Sequence, residues 1–545
     1  MRRAMLRISG LLAGLLVFCC GAVTADAATP SAGAPRLQVN GETVVGAPSP
    51  TPGIDAYLGL PFAEPPVGGL RWRAPVEFVG RGVTRTATTF APACMQSMRI
   101  LDWYRGMAER FGAERSVFPD LAVSEDCLHL NVWAPRQRGE GPLPVMVFIH
   151  GGSNRSGWSY EPNYHGHRLA AEGAVVVTIA YRLGVFGFFS HPQLADERGA
   201  QANFGLWDQL AALRWVQRHI AAFGGDPDRV TLFGESAGGG DIAALMLSPA
   251  ARGLMHRAII QSGGDFGWPG IRTLAAEQAR GLELARAIDA AHPPDLAALR
   301  RIDAERLLEV GERVFSKHYH APVIDGVVVN AQLQERLAAG GWPLQQLMIG
   351  TNANEYYSAD QRGAGAAAVD AAVAAAEVLK TAEVRAALGS TTDAADAIDR
   401  LATADSMLCP AQLLATEIAR AQRPVWMYHF TRVREGRVAA ELRAYHGAEL
   451  PYVFGTHDAW LPTSADDERL TREMMRAWVR FAASGSPDPS GAPHVAGAEP
   501  TWWPYGTAVL RRVMRFDAEP MPVESPEKEL CGIYRQRVVA SASQN

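Results

Sequence analysis

Three nearly unbroken apolar runs constrain this chain more than any other feature. They are "PVMVFIHGG" (144–152), "GAVVVTIAYR" (173–182) and "RVTLFGES" (229–236). Runs rich in β-branched residues, without polar alternation, suit strands covered on both faces, as in a parallel sheet. Between the second and third lies "NFGLWDQLAALRWVQRHIAAFGGDPDRV" (203–230). Its Leu206, Leu210, Leu213, Val216 and Ile220 recur every three or four positions. That spacing predicts a helix, and "GGDP" ends it. Strand, helix, strand, helix is the pattern of a doubly wound α/β fold.

The third run ends on a serine among small residues, in "TLFGESAGGG" (231–240). The pattern G-x-S-x-G decides little by itself in a chain with 53 glycines. Its surroundings say more. A strand (230–233) precedes it, Gly234, Ala237 and Gly238 flank Ser236, and "DIAALMLS" continues as a helix. Strand, tight turn, helix is the setting of a nucleophile elbow. Such a turn lifts the hydroxyl to the carboxyl edge of the sheet and aims a helix N-terminus at developing negative charge. An acyl-transfer serine also needs donors for an oxyanion. "IHGGS" (149–153) ends the first run in small residues whose backbone N–H groups can approach a ligand, and the Ala237 N–H adds another.

Composition bounds the remaining possibilities. The 545 residues are 48% hydrophobic and 20% charged, enough apolar material for one large core. A net charge of −5 offers no basic face to nucleic acid. "MRRAMLR", "ISGLLAGLLVF" and "ADA" (25–27) read as a signal peptide over 1–27, with the mature chain starting near Ala28. The alternative is an uncleaved anchor; bulky Phe18 disfavours a lipid anchor on Cys19 or Cys20. No later stretch is long and apolar enough to span a bilayer. The expectation is an exported protein, periplasmic or secreted, with no stable membrane span after signal cleavage. Cys94, Cys127, Cys409 and Cys531 then remain, an even count that suggests disulfides and leaves three pairings open. His165 with His167, and His318 with His320, lack a third ligand at a recognised spacing, so no metal and no cofactor are expected. The alanine-rich stretch 359–403 reads as small amphipathic helices, a cap or side lobe, with a variable surface insertion as the alternative. The tail 538–545 reads as frayed.

A wider set of stretches carries a resemblance. "LGLPFAEPPVGGLRWRAP", "SEDCLHLNVWAP", "VFIHGGS", "AYRLGVFGFF", "FGESAGG", "AIIQSGG", "GTNANEYYS" and "AYHGAELPYVFG" occur in this order along the chain. In these the chain resembles the type-B carboxylesterases, the family that includes the cholinesterases. The resemblance implies a single α/β-hydrolase domain over 28–545: a mostly parallel sheet flanked by helices, with helical cap or side-lobe insertions. It implies Ser236 as nucleophile, Glu355 as the acid and His446 as the base. It implies an oxyanion hole from Gly152, Ser153 and Ala237, although the family often has glycine or alanine where Ser153 stands. Glu235 is implied as an electrostatic support, with a buried structural carboxylate as the equal alternative. Ser262 is implied to hydrogen-bond the acid–histidine pair, and Trp268 to line the acyl pocket. Asn354 stands where the family has an acidic residue. Arg182 with Asp208, and Arg71 with Glu125, are implied as structural ion pairs. The implied disulfides are Cys94–Cys127 and Cys409–Cys531. The first closes a loop with Trp103, Tyr104 and Phe111 at a gorge rim. Trp103 does not align with the cation-binding aromatic of cholinesterases, so no choline preference is implied.

The implied reaction is hydrolysis of a small-molecule ester by water through an acyl-enzyme. The same machinery would serve amides or carbamates. The rival from another class is a non-catalytic cholinesterase-like binding protein, which usually lacks the serine or the histidine. An ordinary imidazole would place the acid limb of activity near ~6.5. The sequence sets no oligomeric state.

Overall fold

The computed structural model describes residues 33–542, apart from 138, 195–199, 264–270, 317–319, 333–334, 336–343, 345, 390–392, 490–501 and 507–510. The segment 1–27 and Trp268 therefore lie outside the described residues, as does part of the alanine-rich stretch.

The main sheet is built from β1 (Ala47–Pro48), β2 (Ile54–Pro61), β3 (His129–Pro135), β4 (Leu143–Ile149), β5 (Val175–Ile179), β6 (Gly225–Glu235), β7 (Arg257–Gln261), β8 (Gln346–Asn352), β9 (Val425–Phe430), β10 (Arg512–Phe516) and β11 (Met521–Glu524). Across the sheet they lie in the order β11-β10-β9-β8-β7-β6-β4-β5-β3-β2-β1. From β5 to β10 every neighbouring pair is parallel. The pairs at both edges are antiparallel. Together with the flanking helices this is the α/β-hydrolase architecture.

The period of two along each apolar run distributes it between two layers. Val145, Val147 and Ile149 of β4 enter one core, and Met146 and Phe148 enter the other. The helix Phe204–His219 covers the first layer with Leu206, Leu210, Leu213 and Val216. It ends in a short 3₁₀ turn capped by Gly224 at φ 86°. The helix Ala465–Ser484 covers the second layer with Leu470, Met474, Trp478 and Phe481. A capping box between Ser464 and Asp467 starts it.

The order β5-β4-β6 makes the strand sequence reverse between β4 and β6. Parallel α/β sheets bind ligands outside the carboxyl ends of the strands at such a switch point. Ile149 pairs with Gly234 across it, so His150–Gly151 and Glu235–Ser236 emerge side by side.

The alanine-rich stretch forms helices Gly365–Ala375, Ala382–Leu388 and Ala394–Thr403 among its described residues. Disulfides join Cys94 to Cys127 and Cys409 to Cys531. Their separations of 33 and 122 residues correspond to about 4 and about 5 kcal/mol of loop-closure entropy removed from the unfolded chain. The second bridge explains a departure from the sequence reading of the tail. The helix Lys528–Ala542 runs on into the expected frayed segment. Cys531 is tied down, and Leu530, Tyr534 and Val538, at four-residue spacing, are buried.

Candidate active site

Ser236 leaves β6 at φ 55° and ψ −126° and caps the helix Ala237–Met246. That backbone is strained for a residue with a side chain. Two bonds hold it: Ser236 N–H donates to the Gln261 carbonyl at 2.9 Å, and the Ser236 carbonyl accepts from Gly240 N–H at 3.1 Å. The loop after β4 lies directly against the turn. A Cβ on Gly151 would stand 2.8 Å from the Glu235 carbonyl and 2.9 Å from the Ser236 Cβ, so only glycine fits there. Gly151 is buried beneath the turn, whereas Gly152 and Ser153 are half-buried beside it.

His446 precedes the short helix Leu450–Phe454. Its Nε2 lies 2.8 Å from Ser236 Oγ, and its Nδ1 lies 2.6 Å from Glu355 Oε2. Glu355 follows the end of β8. Its other oxygen, Oε1, accepts from Ser262 Oγ at 2.6 Å and from Asn352 N–H at 2.7 Å. The structure thus brings Ser236, His446, Glu355 and Ser262 into one continuous hydrogen-bonded chain. Trp268 lies outside the described residues.

Glu235 is the second carboxylate at the imidazole, with Oε1 3.1 Å from His446 Nε2. Glu449, fully buried, is the third. It accepts from Gln261 Nε2 at 3.0 Å and from Asn352 Nδ2 at 2.6 Å. Burial raises Glu235 well above the usual carboxylate range; His446 opposes this, and the charges of Glu449, Glu355 and Glu161 add to it. For His446, burial works against the charged form, but Glu235, Glu355 and Glu449 outweigh it and hold the imidazole above its ordinary range. The ring keeps 34% of its side-chain surface exposed, so burial opposes its charge only in part. Glu235 and His446 are linked: a proton on Glu235 removes one of the anions that hold the proton on the imidazole.

Glu449, Asn352 and Gln261 did not emerge from the sequence. The signal for Glu449 is its place three residues after His446, in "HGAEL". Asn354 is turned to a different task. Its Nδ2 donates to Asp399 of the helix Ala394–Thr403 at 2.9 Å, and Tyr356 N–H donates to the same carboxylate at 3.0 Å. The alanine-rich lobe therefore braces the loop that carries Glu355.

The Cys94–Cys127 loop contains the helix Arg99–Arg110. Trp103 is 45% exposed and lies 6.3 Å from the ring of Tyr445, next to His446. Tyr104 points inward and donates to Glu161 at 2.7 Å. Phe111 packs on Trp460. Arg182 pairs with Asp208, and Arg71 with Glu125, both away from the serine. Among the described residues no cluster of His, Cys, Asp or Glu is arranged to hold a metal ion, and no helix is long and apolar enough to cross a membrane.

A serine hydroxyl on an imidazole backed by a carboxylate, beside the backbone of a small-residue loop, can attack a carbonyl carbon. Comparison with known proteins bears on that chemistry. The model of the "Carboxylesterase family" matches residues 34–533. Fumonisin B1 esterase of Sphingopyxis macrogoltabida is 36% identical over 81% of this chain and 81% of its own length. Para-nitrobenzyl esterase of Bacillus subtilis (strain 168) is 33% identical over 88% of this chain and 94% of its own. A solved structure of a PNB esterase superposes with a TM-score of 0.76 at 30% identity, covering 92% of this chain and 99% of that one. With an α/β-hydrolase sheet and matches of this extent, the chain belongs to the carboxylesterase family and is a carboxylic ester hydrolase.

Proposed function

We propose that Ser236, His446 and Glu355 hydrolyse a small carboxylic ester through an acyl-enzyme. The observation that carries the reading is the unbroken path from Ser236 Oγ to His446 Nε2 at 2.8 Å and from Nδ1 to Glu355 at 2.6 Å. His446 takes the hydroxyl proton as Ser236 Oγ attacks the ester carbonyl. Glu355 keeps the other ring proton on Nδ1, which leaves Nε2 free to accept. The N–H groups of Gly152, Ser153 and Ala237 bind the oxyanion. His446 then returns the proton to the leaving alcohol, and water, activated by the same imidazole, releases the acid. The two disulfides fit the same reading, in which a leader over 1–27 exports the protein to the periplasm or beyond. Mixing the enzyme with excess acetyl-labelled p-nitrophenyl acetate tests the mechanism. A burst of p-nitrophenol equal to the enzyme sites, followed by slower steady turnover, is expected. Label recovered on any peptide other than the one bearing Ser236 would remove the serine from the reaction.

The carboxylates set the pH dependence. His446 must be neutral to accept the proton, so activity rises as pH climbs through the imidazole's ionisation. Glu235, Glu355 and Glu449 hold that ionisation above the ordinary imidazole value, so the acid limb is displaced upward from the ~6.5 that an isolated ring implies. Glu235→Gln removes one raising charge. Its acid limb in kcat/KM should lie at lower pH than that of the unmodified enzyme. Superimposable profiles would show that Glu235 carries no charge at the imidazole during turnover.

A further inference from the structure

The loop that supplies Gly152 and Ser153 has an unusual backbone. Gly152, Ser153 and Asn154 take φ values of 101°, 61° and 54° in succession. Three left-handed residues in a row, two of them not glycine, persist only where surrounding contacts impose them. The contacts converge on Asn154, which has no exposed surface. Its carbonyl accepts from Gly184 N–H at 2.7 Å. Tyr181 Oη shares its one proton between the His150 carbonyl at 2.8 Å and the Asn154 side-chain oxygen at 3.1 Å. Asn154 Nδ2 donates to Asp241 Oδ1 at 2.9 Å.

Asp241 belongs to the helix Ala237–Met246, the helix whose first residue follows the serine. It too has no exposed surface. Its second oxygen accepts from Gln209 Nε2 at 2.6 Å. A carboxylate in the core, supported by two neutral amides, is an expensive way to fill space, and an apolar side chain would do that alone. Here it spans two elements that have to be in register. On one side is the loop with the Gly152 and Ser153 N–H groups. On the other is the helix with the Ala237 N–H. The three proposed oxyanion donors come from both.

We propose that the Asn154–Asp241 hydrogen bond is a positioning device, which sets the distance between the loop donors and the helix donor of the oxyanion hole. The proposal rests on the acyl-enzyme reading above. Asn154 and Asp241 touch no reacting atom; they act through the backbone of Gly152, Ser153 and Ala237. An oxyanion donor works only at the position where negative charge develops, and a shift of about an ångström costs about 10²-fold in rate. Loss of the bridge should therefore appear in kcat and leave substrate binding largely intact.

Three variants test this. Asn154→Gly keeps a residue that accepts a positive φ and removes the side-chain bridge. Asp241→Leu replaces the carboxylate by an apolar group of similar size. Asp241→Asn retains an oxygen for Asn154, and its amide N–H can turn to Gln209 Oε1, an atom with no hydrogen-bond partner among the described contacts. Turnover of p-nitrophenyl acetate is measured per site, with sites counted by stoichiometric phosphonylation. Affinity for a trifluoromethyl ketone, which forms an oxyanion on the serine, is measured alongside. Asn154→Gly and Asp241→Leu should each lose ~10²-fold in kcat, with KM within about threefold, and should bind the ketone correspondingly more weakly. Asp241→Asn should recover most of the turnover lost in Asp241→Leu. The double variant Asn154→Gly/Asp241→Leu should lose no more than the worse single, as expected for two halves of one bond. Wild-type kcat per site in Asn154→Gly, which does not depend on Asp241→Leu folding, would overturn the proposal. So would a loss confined to the number of titratable sites, because that is a folding defect alone. If the unmodified enzyme neither takes up the phosphonate nor turns over, the acyl-enzyme reading fails, and the positioning role fails with it.

Discussion

Ser236→Ala is expected to abolish nearly all turnover, by at least ~10³-fold in kcat, while leaving the fold as it is. A thousandfold corresponds to about 4 kcal/mol of transition-state stabilisation, far more than one neutral hydrogen bond contributes to folding. The structure separates the two effects cleanly. The strained backbone at φ 55° and ψ −126° is held by main-chain bonds to Gln261 and Gly240, which alanine preserves. Alanine also keeps the Cβ that meets Gly151. The hydroxyl removed has its hydrogen bond to His446 Nε2, a half-exposed contact whose loss costs about 1 kcal/mol of stability. Thermal unfolding should therefore stay within a few degrees of the parent, and the residual rate should come from the remaining backbone donors acting on bound ester. Retention of ester cleavage by the folded variant would mean that another group attacks the carbonyl.

How much of this was legible in the sequence depended on distance along the chain. The turn at Ser236 was legible because the strand, the turn and the helix that form it are contiguous. The two-layer sheet was legible because each apolar run is a strand by itself, and period two divides it without help from elsewhere. His446 and Glu355 were not legible from their own neighbourhoods. His446 lies 210 residues from Ser236 and 91 residues from Glu355, and only the resemblance drew the pair out of 14 histidines and 57 acidic residues. The supporting polar network was hidden for the same reason. Asn352 meets Glu449 across 97 residues, and Asn154 meets Asp241 across 87. Local patterning carries no information about such pairs, because a buried carboxylate and an exposed one look alike in the chain until the fold selects its donors. The lobe shows the limit most clearly. Its alanine-rich helices could be read as a surface insertion, yet Asp399 on one of them receives both a side-chain and a main-chain donor from the Glu355 loop.

The donors around Glu355 also govern what its conservative replacement should do. Glu355→Gln is expected to lower kcat by ~10⁴-fold, with the protein still folded. Gln has the shape of Glu, so the question is which way the amide faces. Oε1 accepts from Asn352 N–H at 2.7 Å and from Ser262 Oγ at 2.6 Å. The Asn352 donor is main chain and cannot reverse. An amide nitrogen placed there would meet a donor with a donor, at a cost of about 1–3 kcal/mol for a buried unpaired group. The amide oxygen therefore stays on that side, and the NH₂ faces His446 Nδ1. It can only donate, so Nδ1 has to accept and the ring proton moves to Nε2. Nε2 then presents a proton to Ser236 Oγ where it has to take one. The geometry of the chain survives and its direction is reversed. The fixed orientation of Asn352 N–H also makes the effect specific to the amide. Glu355→Asp keeps an acceptor-only carboxylate and should be impaired through reach, retaining more activity than Gln despite the larger change in shape. If Glu355→Gln turned over as fast as the parent, Glu355 would not be setting the tautomer of His446.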